Sequence, residues 1–141
     1  MFLDASAIVA ILARQPDAVS LMARLAAASG KVYVSPISML EAVLGLAQAK
    51  TPAGGTVIPD RISQAEAAVA ELISAIGAKE MVISMDVGRR ALEAGRQYGE
   101  ASGHPAALNI GDCLAYACAQ AYRLQLLAKG GDFAQTGIAG S

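Results

Sequence analysis

Apolar positions run along the chain in two alternating patterns. Short, mostly apolar runs occur at Met1–Asp4, Lys31–Ser35, Met81–Ser84 and Leu124–Leu127. A strand covered on both faces shows little apolar–polar alternation, so these four predict buried strands. Longer stretches with helical spacing lie between them. Ser6 stands as a helix N-cap ahead of AIVAILAR, and Pro16 opens a helix over Asp17–Ala28 that Gly30 ends. Pro36 and Ser38 open a helix running through Ala49. Asp60–Ile76 is amphipathic, with Ile62, Ala65, Val69, Leu72, Ile73 and Ile76 turned inward, and Asp86 caps Val87–Tyr98. The last helix, Asn109–Arg123, is small or apolar nearly all round, the mark of a buried helix. Thr51–Pro59 and Ala101–Leu108 are loops, and Phe133–Ser141 is a tail.

Strands alternating with helices predict an α/β fold. The expected architecture is a single domain over 1–141, with a central parallel sheet of four to five strands flanked by helices on both faces. In such sheets ligands bind beyond the carboxyl ends of the strands, at a topological switch point.

Composition and charge narrow the function. With 55% hydrophobic and 16% charged residues, disorder is excluded. A net charge of −1 excludes nucleic-acid binding by bulk electrostatics, so any such contact must be local or run through a metal. No apolar run reaches transmembrane length, and the first residues, with Asp4 and no basic segment, are not a signal peptide. Cys113 and Cys118 are five apart on one helix and face different ways. They are expected as free thiols of a cytoplasmic protein, and with the single His104 they make no zinc set. The sparse charge also predicts surface hidden in an oligomer or under a partner.

Four acids sit where a carboxylate is expensive. Asp4 ends the first strand, Glu41 lies on an apolar helix face, Asp112 opens the buried helix, and Asp132 follows the last strand. Each has an ordinary reading: a bond to the next helix start, a pair with an arginine, a helix-dipole complement and a turn residue. Together they predict a pocket of like charges that recruits a hard cation, Mg²⁺ or Mn²⁺. Such ions activate water in phosphodiester cleavage. His104, in a Gly/Pro loop, is expected to pack there rather than act as a base. Tyr98, Tyr116 and Tyr122 are read as core residues before base-stacking ones, and the methionines as core.

The segments LDASAIVAIL, SPISMLEA, LNIGDCLAYACA and LLAKGGDF, in that order, resemble those of PIN-domain ribonucleases. More narrowly the chain resembles the VapC-like toxins of bacterial type II toxin–antitoxin pairs. The resemblance implies a metal-dependent endoribonuclease that uses Mg²⁺ or Mn²⁺. Asp4 and Asp112 match the most direct metal ligands, and Glu41 and Asp132 match acids that complete the site directly or through water. Ser6 and Asn109 match supporting polar positions, and Lys129 stands where it could contact phosphate. The implied partners are an RNA substrate, a cognate antitoxin and a second copy in a homodimer. An alternative is a PIN-like module that binds RNA or protein without cutting.

Overall fold

The computed structural model of the protein describes residues 1–28 and 30–138. Residues 139–141 of the expected tail lie outside the described residues. The elements follow in the order β1 (Phe2–Leu3), α1 (Ala5–Leu12), α2 (Ala18–Ala26), β2 (Tyr33–Val34), α3 (Pro36–Ala49), α4 (Pro59–Ala75), β3 (Lys79–Glu80), α5 (Met85–Tyr98), α6 (Ile110–Ala121) and β4 (Leu126–Leu127). Short 3₁₀ turns cover Glu100–Ser102 and Asp132–Gln135.

All strand pairs are parallel, in the order β3-β2-β1-β4. The chain steps outward from β1 to β3, then crosses back to lay β4 on the other side of β1. The switch point therefore falls between β1 and β4. Successive side chains of a strand point to opposite faces, and the two residues of each inner strand serve two cores. Phe2 and Leu126 join the core under α5 and α6, whereas Leu3 and Leu127 join the core under α1 to α4. Both faces are covered, which is why the runs in the sequence lack alternation.

Helix starts follow local chemistry. Ser35 caps α3 through a reciprocal pair of bonds with Ser38, and Pro36 occupies the first turn, where its missing N–H costs nothing. Two expected caps are corrected. Asp4, not Ser6, is the N-cap of α1 and accepts from the Ser6 N–H at 2.9 Å. Ser84, not Asp86, caps α5 by accepting from Val87 N–H at 3.3 Å. Asp86 is instead exposed, where bonding to Arg90 and the nearby Arg89 hold its carboxyl below the ordinary range.

The third strand is also displaced. It is Lys79–Glu80, two polar residues on the edge of the sheet, and not Met81–Ser84. The Met81 N–H still donates to Val34 O at 2.7 Å, but beyond it the chain leaves the sheet and Val82 is 72% exposed. An edge strand has solvent beside it and needs no apolar residues. The methionines are likewise not all core. Met81 is buried, but Met22 and Met85 are exposed. Tyr98 packs edge-on to His104 and against Tyr116, as expected of a core cluster, while Tyr122 is exposed.

Leu127 is fully buried between β1 and the α1–α4 layer. Leu127→Ala is expected to lower unfolding free energy by roughly 2–5 kcal/mol, because the tight core collapses only partly into the gap. Urea denaturation of both proteins measures it.

Candidate active site

Asp4 is placed by the sheet itself. Its backbone N–H donates to Leu127 O at 2.9 Å, continuing the β1–β4 ladder, and its carboxylate then starts α1. The residue is only 4% exposed. Its Oδ2 accepts from the Ser6 N–H at 2.9 Å and from the Ser6 hydroxyl at 2.5 Å. The Ser6 hydroxyl in turn accepts from the Lys129 N–H at 3.0 Å. Ser6 thus bridges the end of β1 to the segment after β4.

Asp112 is fixed by the first turn of α6. Asn109 is the N-cap: its Oδ1 accepts from Asp112 N–H at 2.9 Å, and its own N–H donates to Asp112 Oδ2 at 3.0 Å. This reciprocal cap holds the carboxylate at the helix mouth. The rest of α6, Cys113 and Ala115 to Ala119, is buried, as its all-round apolar sequence predicts. Both cysteines are free and buried, and burial pushes the Cys118 thiol up to about 11, which makes it a poor nucleophile.

Glu41 reaches the same place from the middle of α3. It makes no hydrogen bond or ion pair with a described residue. Asp4, Glu41 and Asp112 line one cavity of ≈ 320 Å³, together with Ser6, Val9, Gln15, Gly45, Asn109 and Lys129. The Lys129 ammonium donates to the Gln15 side chain at its edge. Asp132 does not line the cavity. It is exposed at the start of its 3₁₀ turn, so it is not a costly buried acid, yet its charge still raises the proton affinity of Asp4 and Asp112.

The electrostatics of the three lining acids agree. Burial pushes Asp4 above its ordinary range, and bonds from Ser6 and Ala5 oppose that shift. Burial, then the charges of Asp4 and Asp112, push Glu41 up. Burial pushes Asp112 up as well, with Asp4, Asp132 and Glu100 adding to it. The ion pairs among the described residues, all on α5, involve none of these acids. Hard oxygen donors with uncompensated charge fit Mg²⁺ or Mn²⁺. Among the described residues no three His, Cys, Asp or Glu side chains already clasp an ion-sized point. Mg²⁺ commonly takes only one or two carboxylates and completes its shell with water and substrate phosphate, which suits an open pocket.

Sequence reasoning missed several neighbours. Gln15 enters only because the chain turns back after α1 through Arg14 at φ 53°, which no local pattern announces. Glu100 acts on Asp112 from the 3₁₀ turn after α5, a position legible only as loop. Beside the acidic pocket, a wider apolar cleft of ≈ 710 Å³ runs between α5 and α6 past Leu92, Gly95, Ile110 and Leu114. It shares Asn109 with the acidic pocket but holds none of its carboxylates.

The sequence model of the PIN domain matches residues 1–139. A VapC ribonuclease of Rhizobium meliloti (strain 1021) is 45% identical over 139 residues, covering 97% of this chain and 98% of that protein. The chain is a PIN-domain protein of the VapC ribonuclease family. Ribonuclease VapC28 of Mycobacterium tuberculosis (strain ATCC 25618 / H37Rv) is 38% identical to this PIN domain over 138 residues, covering 98% and 95% of the two chains. The crystal structure of Mycobacterium tuberculosis VapC20, described as a sarcin-ricin loop cleaving toxin, matches it with a TM-score of 0.71. That match covers 99% of this chain and 97% of the other at 18% identity, a level that speaks for the fold alone.

The raised carboxyl of Asp4 fixes the sign of a stability effect. Its folded state binds the proton more tightly than the unfolded chain does. The stability this contributes is present below the ordinary aspartate range and is lost as pH rises through the folded value. Asn keeps the cap without the charge. In EDTA, Asp4→Asn is therefore expected to melt above the unsubstituted protein at pH 7.5, with the gap closing towards pH 3. Thermal melts followed by circular dichroism across that range check it.

Proposed function

We propose that this VapC-family chain is the toxin of a type II toxin–antitoxin pair, an endoribonuclease that hydrolyses RNA phosphodiester bonds with Mg²⁺ or Mn²⁺. The observation that carries the reading is the convergence of Asp4, Glu41 and Asp112 on one cavity with no basic side chain paired to any of them. Asp4 and Asp112 would hold the cation, with Glu41 and Asp132 completing its surroundings directly or through water. A divalent ion bound there supplies activation of the attacking water and neutralisation of charge on the phosphate.

The chain's own residues do the positioning. Ser6 and Asn109 hold one oxygen of Asp4 and of Asp112, so each acid meets the pocket in a fixed orientation. The Lys129 ammonium, which donates to Gln15 at the rim, would meet an RNA phosphate oxygen. With a net charge of −1, binding rests on such local contacts and on the metal rather than on a basic surface. With the 3′-oxygen as the leaving group, hydrolysis by water would leave a 5′-phosphate and a 3′-hydroxyl.

The partners proposed with this activity are a cognate antitoxin that covers the acidic pocket and a second copy of the chain in a homodimer. Exposed Leu40 and Leu44 on α3, and Leu92 and Ile110 beside the apolar cleft, supply surface for such contacts. The compartment proposed with this activity is the cytoplasm, where RNA and a cognate antitoxin would be met; among the described residues no helix is long and apolar enough to cross a membrane.

Purified protein incubated with structured RNA is expected to cleave it with Mn²⁺ or Mg²⁺ and to stop with EDTA. Asp4→Asn and Asp112→Asn are each expected to lower kcat/KM by roughly 100-fold or more. Cleavage that persists in EDTA and in both variants would overturn the metal-dependent reading.

A further inference from the structure

We infer that Gly111 is a positioning residue for cleavage: its missing side chain is the space in which the Glu41 carboxylate sits. The inference rests on the proposed role of Glu41 in the acidic pocket. Gly111 is the second residue of α6, between Ile110 and Asp112, and it is buried. A Cβ built on it would lie 2.0 Å from Glu41 Oε1 and 2.4 Å from both Cδ and Oε2. The carboxylate therefore fills the space a Gly111 side chain would take, at the point where α3 and α6 meet.

Backbone conformation does not call for glycine at this position. Its backbone is helical and outside the left-handed region, so any residue could adopt it. Glycine inside a helix costs about 0.5–1 kcal/mol relative to alanine. By contrast, a Cβ on the helical Gly88 would meet nothing within 4 Å. What distinguishes Gly111 is the group in front of it.

The placement matters because nothing else holds that carboxylate. Glu41 makes no hydrogen bond or ion pair with a described residue, and the like charges of Asp4 and Asp112 bear on it. Its orientation is set by the space available. On its own helix Gly45, one turn on, also lines the cavity, and a Cβ there would meet Val9 Cγ2 at 3.1 Å. Of the two glycines, Gly111 alone abuts Glu41, since the neighbour a Cβ on Gly45 would meet is Val9. The three atoms nearest a methyl on Gly111 all belong to the far end of the flexible Glu41 side chain, so the fold survives and the carboxylate swings away from the pocket. This separates a positioning effect from a packing effect.

The test uses four full-length proteins: unsubstituted, Gly111→Ala, Glu41→Ala and the double variant. Three quantities are read for each: Mn²⁺ affinity by calorimetry, kcat/KM on structured RNA, and metal-free melting temperature. Gly111→Ala is expected to melt at or above the unsubstituted protein, yet to bind Mn²⁺ and cleave RNA at least about tenfold less well, a loss of the size seen when groups supporting metal ligands are removed. In the Glu41→Ala background the same substitution is expected to change Mn²⁺ affinity and kcat/KM by less than about twofold, because the two residues act as one unit. The inference alone is overturned if Glu41→Ala loses affinity and activity while Gly111→Ala keeps both. It is also overturned if Gly111→Ala lowers melting temperature, or loses affinity or activity, equally in both backgrounds, since the glycine would then serve packing. If Glu41→Ala itself changes neither affinity nor activity, the placement of Glu41 in the site fails and this inference with it.

Discussion

Like charges held together in a poorly solvated pocket repel, and the structure around the acidic pocket resists that repulsion. Burial raises the proton affinity of Asp4, Glu41 and Asp112, the charge of Asp4 adds to that of Glu41 and Asp112, and no basic side chain is paired with any of the three. Free to move, the three would drift apart or expose themselves to water. Each is instead anchored through its backbone on a different element. Asp4 is stitched into the β1–β4 ladder, Asp112 is locked in a reciprocal cap, and Glu41 is carried by a helix fixed at its start by its own capping box. A divalent cation bound among the three would relieve that repulsion.

The burial of α6 follows from the same requirement. A surface helix could tilt and let Asp112 retreat into solvent. Packed on one side by α5 and on the other by the sheet, with Ala115, Ala117 and Ala119 allowing close approach, α6 keeps its amino terminus at the switch point. The parallel sheet contributes the rest. Because β4 crosses back to lie beside β1, the segment after β4 reaches Ser6, and through it Asp4, over a sequence separation of 123 residues. The polar chain from Lys129 through Ser6 to Asp4 exists only in that topology.

The near-neutral surface and the concentrated acid belong to one design. A protein that attracts RNA by a broad basic face needs many lysines and arginines, and this chain has 11 against 12 acids. Along α5 the charges pair locally, Asp86 with Arg89 and Arg90 and Glu93 with Arg96. Recognition is left to the pocket, its rim and the apolar cleft beside it. Membership of the VapC ribonucleases agrees with this arrangement, in which the chemistry is local and the scaffold is apolar.

The sequence by itself determined the layer architecture, because strands buried on both faces and helices of 3.6-residue period leave different apolar rhythms. It also singled out the acids, since a carboxylate within an apolar run is costly and therefore conspicuous. It failed where local and tertiary signals diverge. The third strand was hidden because an edge position tolerates Lys79 and Glu80, while the apolar run after it belongs to the chain's exit. Ser6 resembles a cap by composition, yet the sheet ends one residue early enough for Asp4 to take that place. Asp132 looked like a buried acid and is an exposed one, because a turn after a strand does not reveal which way it faces. Only the tertiary structure decided which acids share a cavity, that Gln15 and Lys129 meet at its rim, and that Gly111 leaves room for Glu41. These are distances between elements far apart in sequence, and they are fixed by strand order and helix approach rather than by any local pattern.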